Sequence, residues 1–221
     1  MKAASWPAGF LLLLVATCSD ANAVFDNGVG VDTMNASDST LPNLVADDFL
    51  LQAGANVFNR IRWTGVYASG NTPNGPDDFT IEVYADDAGV PSAGPPLYTF
   101  AVGQPLKTDT GDDLGAFDIY AYSAGIAPLA LAPGTTWWLS IVNDTGADAD
   151  DFWFWAGEGK VGNAQERTSS QFPWTAAFLF AADFELLSEV AEPSGLGLLG
   201  IGLAGLAIAC RRRRQIRPLS L

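Results

Sequence analysis

Residues 24–190 read as an all-β, antiparallel β-sandwich of jelly-roll-like type, and three observations carry that reading. Short apolar runs alternate with period two, turn signals separate them at close intervals, and no long stretch has helical periodicity. Phe79-Thr80-Ile81-Glu82-Val83-Tyr84-Ala85 is the clearest strand, with Phe79, Ile81 and Val83 on one face. Before it, Val57, Ile61 and Trp63 share a face opposite Arg60, Arg62 and Thr64. After it, Phe117, Ile119 and Ala121 oppose Asp118, Tyr120 and Tyr122, which places those two tyrosines away from the core. Trp137, Leu139 and Ile141 oppose Trp138 and Ser140. Near the end, Phe178, Phe180, Phe184 and Leu186 share the even face of one long expected strand. The punctuation is Ser69 to Pro76, Asp87-Ala88-Gly89-Val90-Pro91, Thr110-Gly111 and Ala132-Pro133-Gly134. About eight to ten strands at this spacing suit a sandwich.

The two ends differ from this body. Lys2, the apolar run Ala8 to Ala16 and the small-x-small triplet Ala21-Asn22-Ala23 describe a secretory signal peptide over residues 1–23. Val15-Ala16-Thr17-Cys18 is a competing lipoprotein-type signal, with Thr17 a poor fit before the cysteine. At the other end, Gly195 to Cys210 is apolar. At ~1.5 Å per residue it reaches about 24 Å, short of a bilayer core of about 30 Å, and its five glycines weaken it as a helix. Tilt and flanking residues help such a segment span. Arg211, Arg212, Arg213 and Arg214 would stay cytoplasmic by the positive-inside rule, leaving the body outside the inner membrane.

Glu192-Pro193, the Gly/Leu-rich run Gly195 to Leu206 and the arginine block Arg211 to Arg214 together resemble the PEP-CTERM sorting domain of exopolysaccharide-producing Gram-negative bacteria. The first proline of that motif is Ala191 here. The resemblance covers residues 191–221 and implies an exosortase partner, a transient inner-membrane anchor and delivery to the cell envelope or extracellular matrix. The body also resembles sandwich domains attached to such tails, through its Asp-Asp-Phe strand starts, the Val83 to Pro91 turn and Trp137-Trp138-Leu139-Ser140-Ile141.

Composition narrows the chemistry. Of 11 basic residues, six (Lys2, Arg211 to Arg214, Arg217) lie outside the body, and so do two of 25 acidic residues (Asp20, Glu192). The body keeps five bases against 23 acids, a net charge of −18 that repels nucleic acid and anionic lipid and can attract divalent cations. Both cysteines, Cys18 and Cys210, lie in the terminal segments, and histidine is absent. Thiol and Ser-His-Asp nucleophiles and the usual histidine zinc sites are therefore excluded from the body.

Three chemistries remain. Asp144, Asp148, Asp150 and Asp151 crowd one loop and are the candidate ligands for calcium, which takes six to eight oxygens, although no EF-hand pattern is present. Trp138, Trp153 and Trp155 are the candidate carbohydrate platform, since aromatic faces stack on sugars. In Phe152-Trp153-Phe154-Trp155 both faces are aromatic, and either pair can face the core. A carboxylate-pair glycosidase is the third, with no motif to mark the pair. Asp-Asp-Phe recurs at Asp47, Asp77 and Asp150, where the acids are expected to stay wet while the phenylalanine enters the core. The expectation is a non-enzymatic exported protein, structural or adhesive in association with exopolysaccharide. The alternatives are a carbohydrate-active enzyme and a calcium-dependent adhesin.

Overall fold

A computed structural model describes residues 21–28, 30–67, 75–147, 151–160, 162–177 and 179–189. The signal segment before Ala21, Asp148, Asp150, Phe178, most of the Ser69 to Pro76 turn and the whole tail with Glu192, Pro193 and Arg211 to Arg214 lie outside those residues. No helix among the described residues is long and apolar enough to cross a membrane.

The described unit, Ala21–Glu189, is all β and holds two antiparallel sheets. The first contains β1 (Ala21–Asp26), β2 (Thr33–Ala36), β4 (Val57–Tyr67), β7 (Leu106–Leu114), β8 (Phe117–Ala130), β10 (Trp153–Glu158), β13 (Ala181–Ala182) and β14 (Phe184–Glu189). The second runs β12 (Thr175–Ala176), β11 (Gln165–Thr168), β3 (Asn43–Leu50), β9 (Thr136–Asn143), β5 (Phe79–Ala85), β6 (Tyr98–Gly103). The sandwich expectation holds.

The core between the sheets is aromatic. Trp63 stacks on Tyr122 at 5.4 Å, and Phe79 meets the edge of Trp153 at 5.0 Å and 88°. Each such pair adds roughly 0.5–1.5 kcal/mol beyond its area burial. Phe79, Ile81, Val83, Leu139 and Ile141 face inward as their alternation requires.

Three strands depart from the expected faces. In β4, Phe58, Ile61 and Trp63 face the core while Val57 is 41% exposed. The pairing with β8 is irregular here, with three β8 residues (126–128) opposite the single Asn59, and the core-facing parity changes across this irregularity. In β8, Tyr122 is buried in the core and Tyr120 packs against it. Tyr122 is the register partner of Trp63, and directly opposed residues share a face, so the partner decides. The tyrosine hydroxyl is accommodated by a 3.3 Å hydrogen bond to Tyr67. The single long final strand is instead two, β13 and β14, broken at Asp183, whose N–H donates to the Ala156 carbonyl at 3.0 Å.

The Asp-Asp-Phe starts also differ from expectation. Phe49 and Phe79 enter the core, but Asp47 is buried and Asp77 nearly so. Asp47 accepts from Asn27 Nδ2, the Ala182 N–H and the Asp48 N–H at 2.8–2.9 Å. Asp77 pairs with Lys107 at 3.0 Å and accepts from Asn143 and Tyr67. In the third copy Asp151 is buried and Phe152 only half-buried, while Trp153 and Trp155 fill the core. Gly65 makes room for this: a Cβ there would lie 2.5 Å from Trp153 Nε1, closer than van der Waals contact permits.

At the edge of the first sheet, β1 pairs with β14. Ala21 lies opposite Glu189 and Ala23 opposite Leu187, and the register shifts between Ala23 and Phe25. The expected cut after Ala23 therefore falls inside β1, at that shift. It leaves Phe25 and Asp26 paired with Leu186 and Glu185.

Candidate functional site

The outer face of the second sheet carries the most distinctive polar arrangement. Because alternate residues point to opposite faces, β5 sends Tyr84 outward from its core-facing Ile81 and Val83. Likewise β9 sends out Trp138, and β3 sends out Leu44 and Ala46. On β11, Arg167 lies opposite Leu44 in register and shares its face. The chain then turns at Ser169, which has φ +73°, and lays Trp174 over the sheet, edge-on to Tyr84 at 5.5 Å.

Arg167 sits in this small cluster at 4% exposure. Its guanidinium carbon lies 4.2 Å from the Trp174 ring and 5.3 Å from the Tyr84 ring. Its Nη2 donates to the Tyr84 hydroxyl at 2.9 Å, and that hydroxyl donates to Glu82 Oε2 at 2.5 Å. Burial, then the bond to Glu82, raise the Tyr84 phenol above its ordinary value, so it stays protonated and relays charge rather than carrying it. Arg167 Nε, Trp174 Nε1 and Ser140 Oγ are buried and make no hydrogen bond among the described residues.

The contrast with the other four bases of the body is sharp. Arg60 pairs with Glu189 at 2.5 Å, Arg62 with Glu185 at 3.4 Å, Lys107 with Asp77 at 3.0 Å and Lys160 with Glu158 at 2.7 Å. Among the described residues Arg167 alone takes no carboxylate, in a body with 23 of them. It borders two pockets. One, of ≈ 370 Å³, is lined by Asn43, Thr168, Phe172, Pro173 and Thr175 besides Glu166 and Arg167. The other, of ≈ 390 Å³, lies toward Glu82, Tyr84 and the Ala93 to Pro96 wall.

The residues singled out from sequence lie elsewhere or are covered. Trp138 is 1% exposed, and Trp153 and Trp155 are fully buried, so these three form no sugar-stacking surface. Trp138 does point outward, but it clusters with Trp174 and donates its indole N–H to Asp86 at 2.9 Å. Trp153 and Trp155 are core residues of β10. Of the calcium candidates, Asp144 is exposed and caps its own turn by accepting the Gly146 N–H at 2.9 Å, whereas Asp151 is buried. Asp148 and Asp150 lie outside the described residues, and no group of three or more acidic side chains able to hold a metal occurs among the described residues.

On the opposite face of the sandwich, a groove of ≈ 260 Å³ is lined in part by Asp26, Arg62, Thr64, Asp183 and Glu185. Thr64 donates to Asp183 at 2.7 Å. Burial raises the Asp183 carboxyl above its ordinary value, and the charges of Asp26 and Glu185 add to the effect. Just beyond, Glu189 ends β14 in a clamp: its N–H donates to Asn59 Oδ1 at 2.8 Å, and Asn59 Nδ2 donates back to the Glu189 carbonyl at 3.0 Å.

Glu189 is also where the recognisable tail begins. The PEP-CTERM protein-sorting motif matches residues 189–214. The chain is therefore an exported protein of the exosortase-sorted class, made as a membrane-anchored precursor with exosortase as its processing partner. No curated protein matches it.

Proposed function

We propose that the sandwich is a non-enzymatic structural or adhesive module that works in the cell envelope or extracellular matrix, in association with exopolysaccharide. The observation that carries this reading is the sorting motif at residues 189–214, which follows an aromatic-cored sandwich directly in sequence. The acidic body favours solubility and mutual repulsion, which suits a dispersed matrix component. The pockets beside Arg167 supply a concave, partly aromatic surface of small-ligand size.

Two other readings have narrower support. A carbohydrate-active enzyme would draw on Asp183 with Asp26 or Glu185 in the groove of the first sheet. A calcium-dependent adhesin would draw on the loop that holds Asp144 and Asp151.

The test is retention. The mature protein is expected to co-fractionate with the extracellular polysaccharide of its host and to be released when that polysaccharide is digested. Equal release from intact and digested matrix contradicts the reading. Release by chelator alone selects the calcium-dependent form.

A further inference from the structure

We propose that the pocket beside Arg167 binds a carboxylated sugar unit, with the guanidinium holding the carboxylate and Phe172 holding the ring. The proposal deepens the polysaccharide reading above and rests on it for the choice of ligand class.

The argument begins with charge. A buried guanidinium without a direct carboxylate partner is unfavourable, because it has lost water, and Arg167 reaches the nearest carboxylate, Glu82, only through the Tyr84 hydroxyl. Arg167 receives one phenol oxygen and two aromatic faces, and its Nε is left without a partner among the described residues. The Trp174 ring, 4.2 Å from the guanidinium carbon, holds the group in place beside the pocket, and a guanidinium so held suits a carboxylate.

The pocket walls specify the rest of the ligand. Phe172 is 59% exposed at the pocket, and with Pro173 it presents an apolar surface for a pyranose face. Thr168 offers a hydroxyl, while Asn43 Nδ2 already donates to the Ala36 carbonyl at 2.7 Å and the Thr175 hydroxyl to the Glu166 carbonyl at 3.2 Å, so these two present acceptors to sugar hydroxyls. Glu166 also borders the pocket, but its Oε2 is tied to Asn35 Nδ2 at 3.0 Å. A volume of ≈ 370 Å³ falls toward the lower end of the ~300–1,000 Å³ usual for small-ligand sites and suits a single sugar unit. In a body of net charge −18, an anion gains nothing from the overall field, so recognition must be local.

The test titrates the full-length protein with sodium glucuronate, glucose, polygalacturonate and polyglutamate, followed by tryptophan fluorescence and calorimetry. Glucuronate is expected to saturate where glucose does not. Arg167→Lys, which keeps the charge and loses the fork, is expected to weaken glucuronate about tenfold or more. Phe172→Ala alters an exposed side chain and is expected to weaken polygalacturonate at least about threefold with an unchanged melting temperature. If Arg167→Lys does not fold, Phe172→Ala decides. Raising salt is expected to leave glucuronate affinity nearly unchanged and to strengthen polygalacturonate, because screening removes the body's repulsion and spares a buried pair.

The proposal is overturned by equal binding of glucose and glucuronate, or by no glucuronate binding. It is also overturned by insensitivity to both variants, or by preference for polyglutamate. Retention on host polysaccharide that neither glucuronate nor Arg167→Lys disturbs removes this site and leaves the matrix reading intact. Glucuronate bound through Arg167 without matrix retention does the reverse.

Discussion

Replacing Asp38 with alanine is expected to lower the unfolding free energy by about 3–4 kcal/mol and the melting temperature by about 10 °C. Asp38 is fully buried, and four donors converge on its carboxylate. Oδ1 accepts the Thr40 N–H at 2.8 Å and the Thr40 hydroxyl at 2.6 Å. Oδ2 accepts the Thr145 hydroxyl and the Trp153 N–H, both at 2.8 Å. One side chain thus joins the β2–β3 turn, the loop after β9 and the start of β10. Truncation strands the buried Trp153 N–H and removes the partner of the half-buried Thr40 N–H, and an unmade buried hydrogen bond is more damaging than the bond's net worth when made. Asparagine keeps one acceptor and turns an amide toward donors, so Asp38→Asn should fall between wild type and alanine. Urea unfolding measures this, and a loss below about 1 kcal/mol for Asp38→Ala would show that the loops are held by other contacts.

The protein is expected to be more stable at pH 5 than at pH 8, with Asp47 as the main local cause. Burial pushes the Asp47 carboxyl up to about 7, against the pull of its hydrogen bonds from the Ala182 and Asp48 N–H groups and from Asn27. For an acid whose folded value lies above its unfolded one, the unfolded chain binds fewer protons in the interval between them. Its contribution is therefore most favourable below about pH 4 and is lost as pH rises through about 7. Across the whole interval this amounts to about 4 kcal/mol. Asp183 is raised by burial in the same sense and adds to the slope. General repulsion within an acidic body acts in the same direction. Asp47→Asn separates the two causes: it should remove most of the difference between pH 5 and pH 8 if Asp47 dominates. A difference that survives the substitution intact assigns the effect to the overall charge.

Much of the sandwich was legible because β5 and β9 alternate without interruption. Legibility failed where a non-local partner decides. The core-facing parity of β4 changes at its irregular pairing with β8 between Phe58 and Arg60, and nothing in the local pattern marks it. Tyr122 faces inward because it lies opposite Trp63, on a strand more than fifty residues away. In Phe152-Trp153-Phe154-Trp155 either pair fits a core, and the choice is made by Gly65, which gives the Trp153 indole its space. Trp138 alternates to the outer face as its pattern requires, but its cover comes from Trp174, distant in sequence. The Arg167 cluster escaped motif reading because its members come from β5, β11 and the turn that follows. Its one sequence signal was the charge census: with five bases among 23 acids, a base without an acid was worth locating. The sorting tail, by contrast, is a contiguous pattern and could be read directly.

The most direct measurement of the central claim is the fate of the C-terminal segment in cells with and without exosortase, followed by tags at both ends of the body and by mass spectrometry. The wild-type chain should lose its tail only where exosortase is present, and a chain with Arg211 to Arg214 replaced by glutamine should stay full length and membrane-bound. Identical processing of both chains, or of the wild type in both cells, would contradict exosortase sorting.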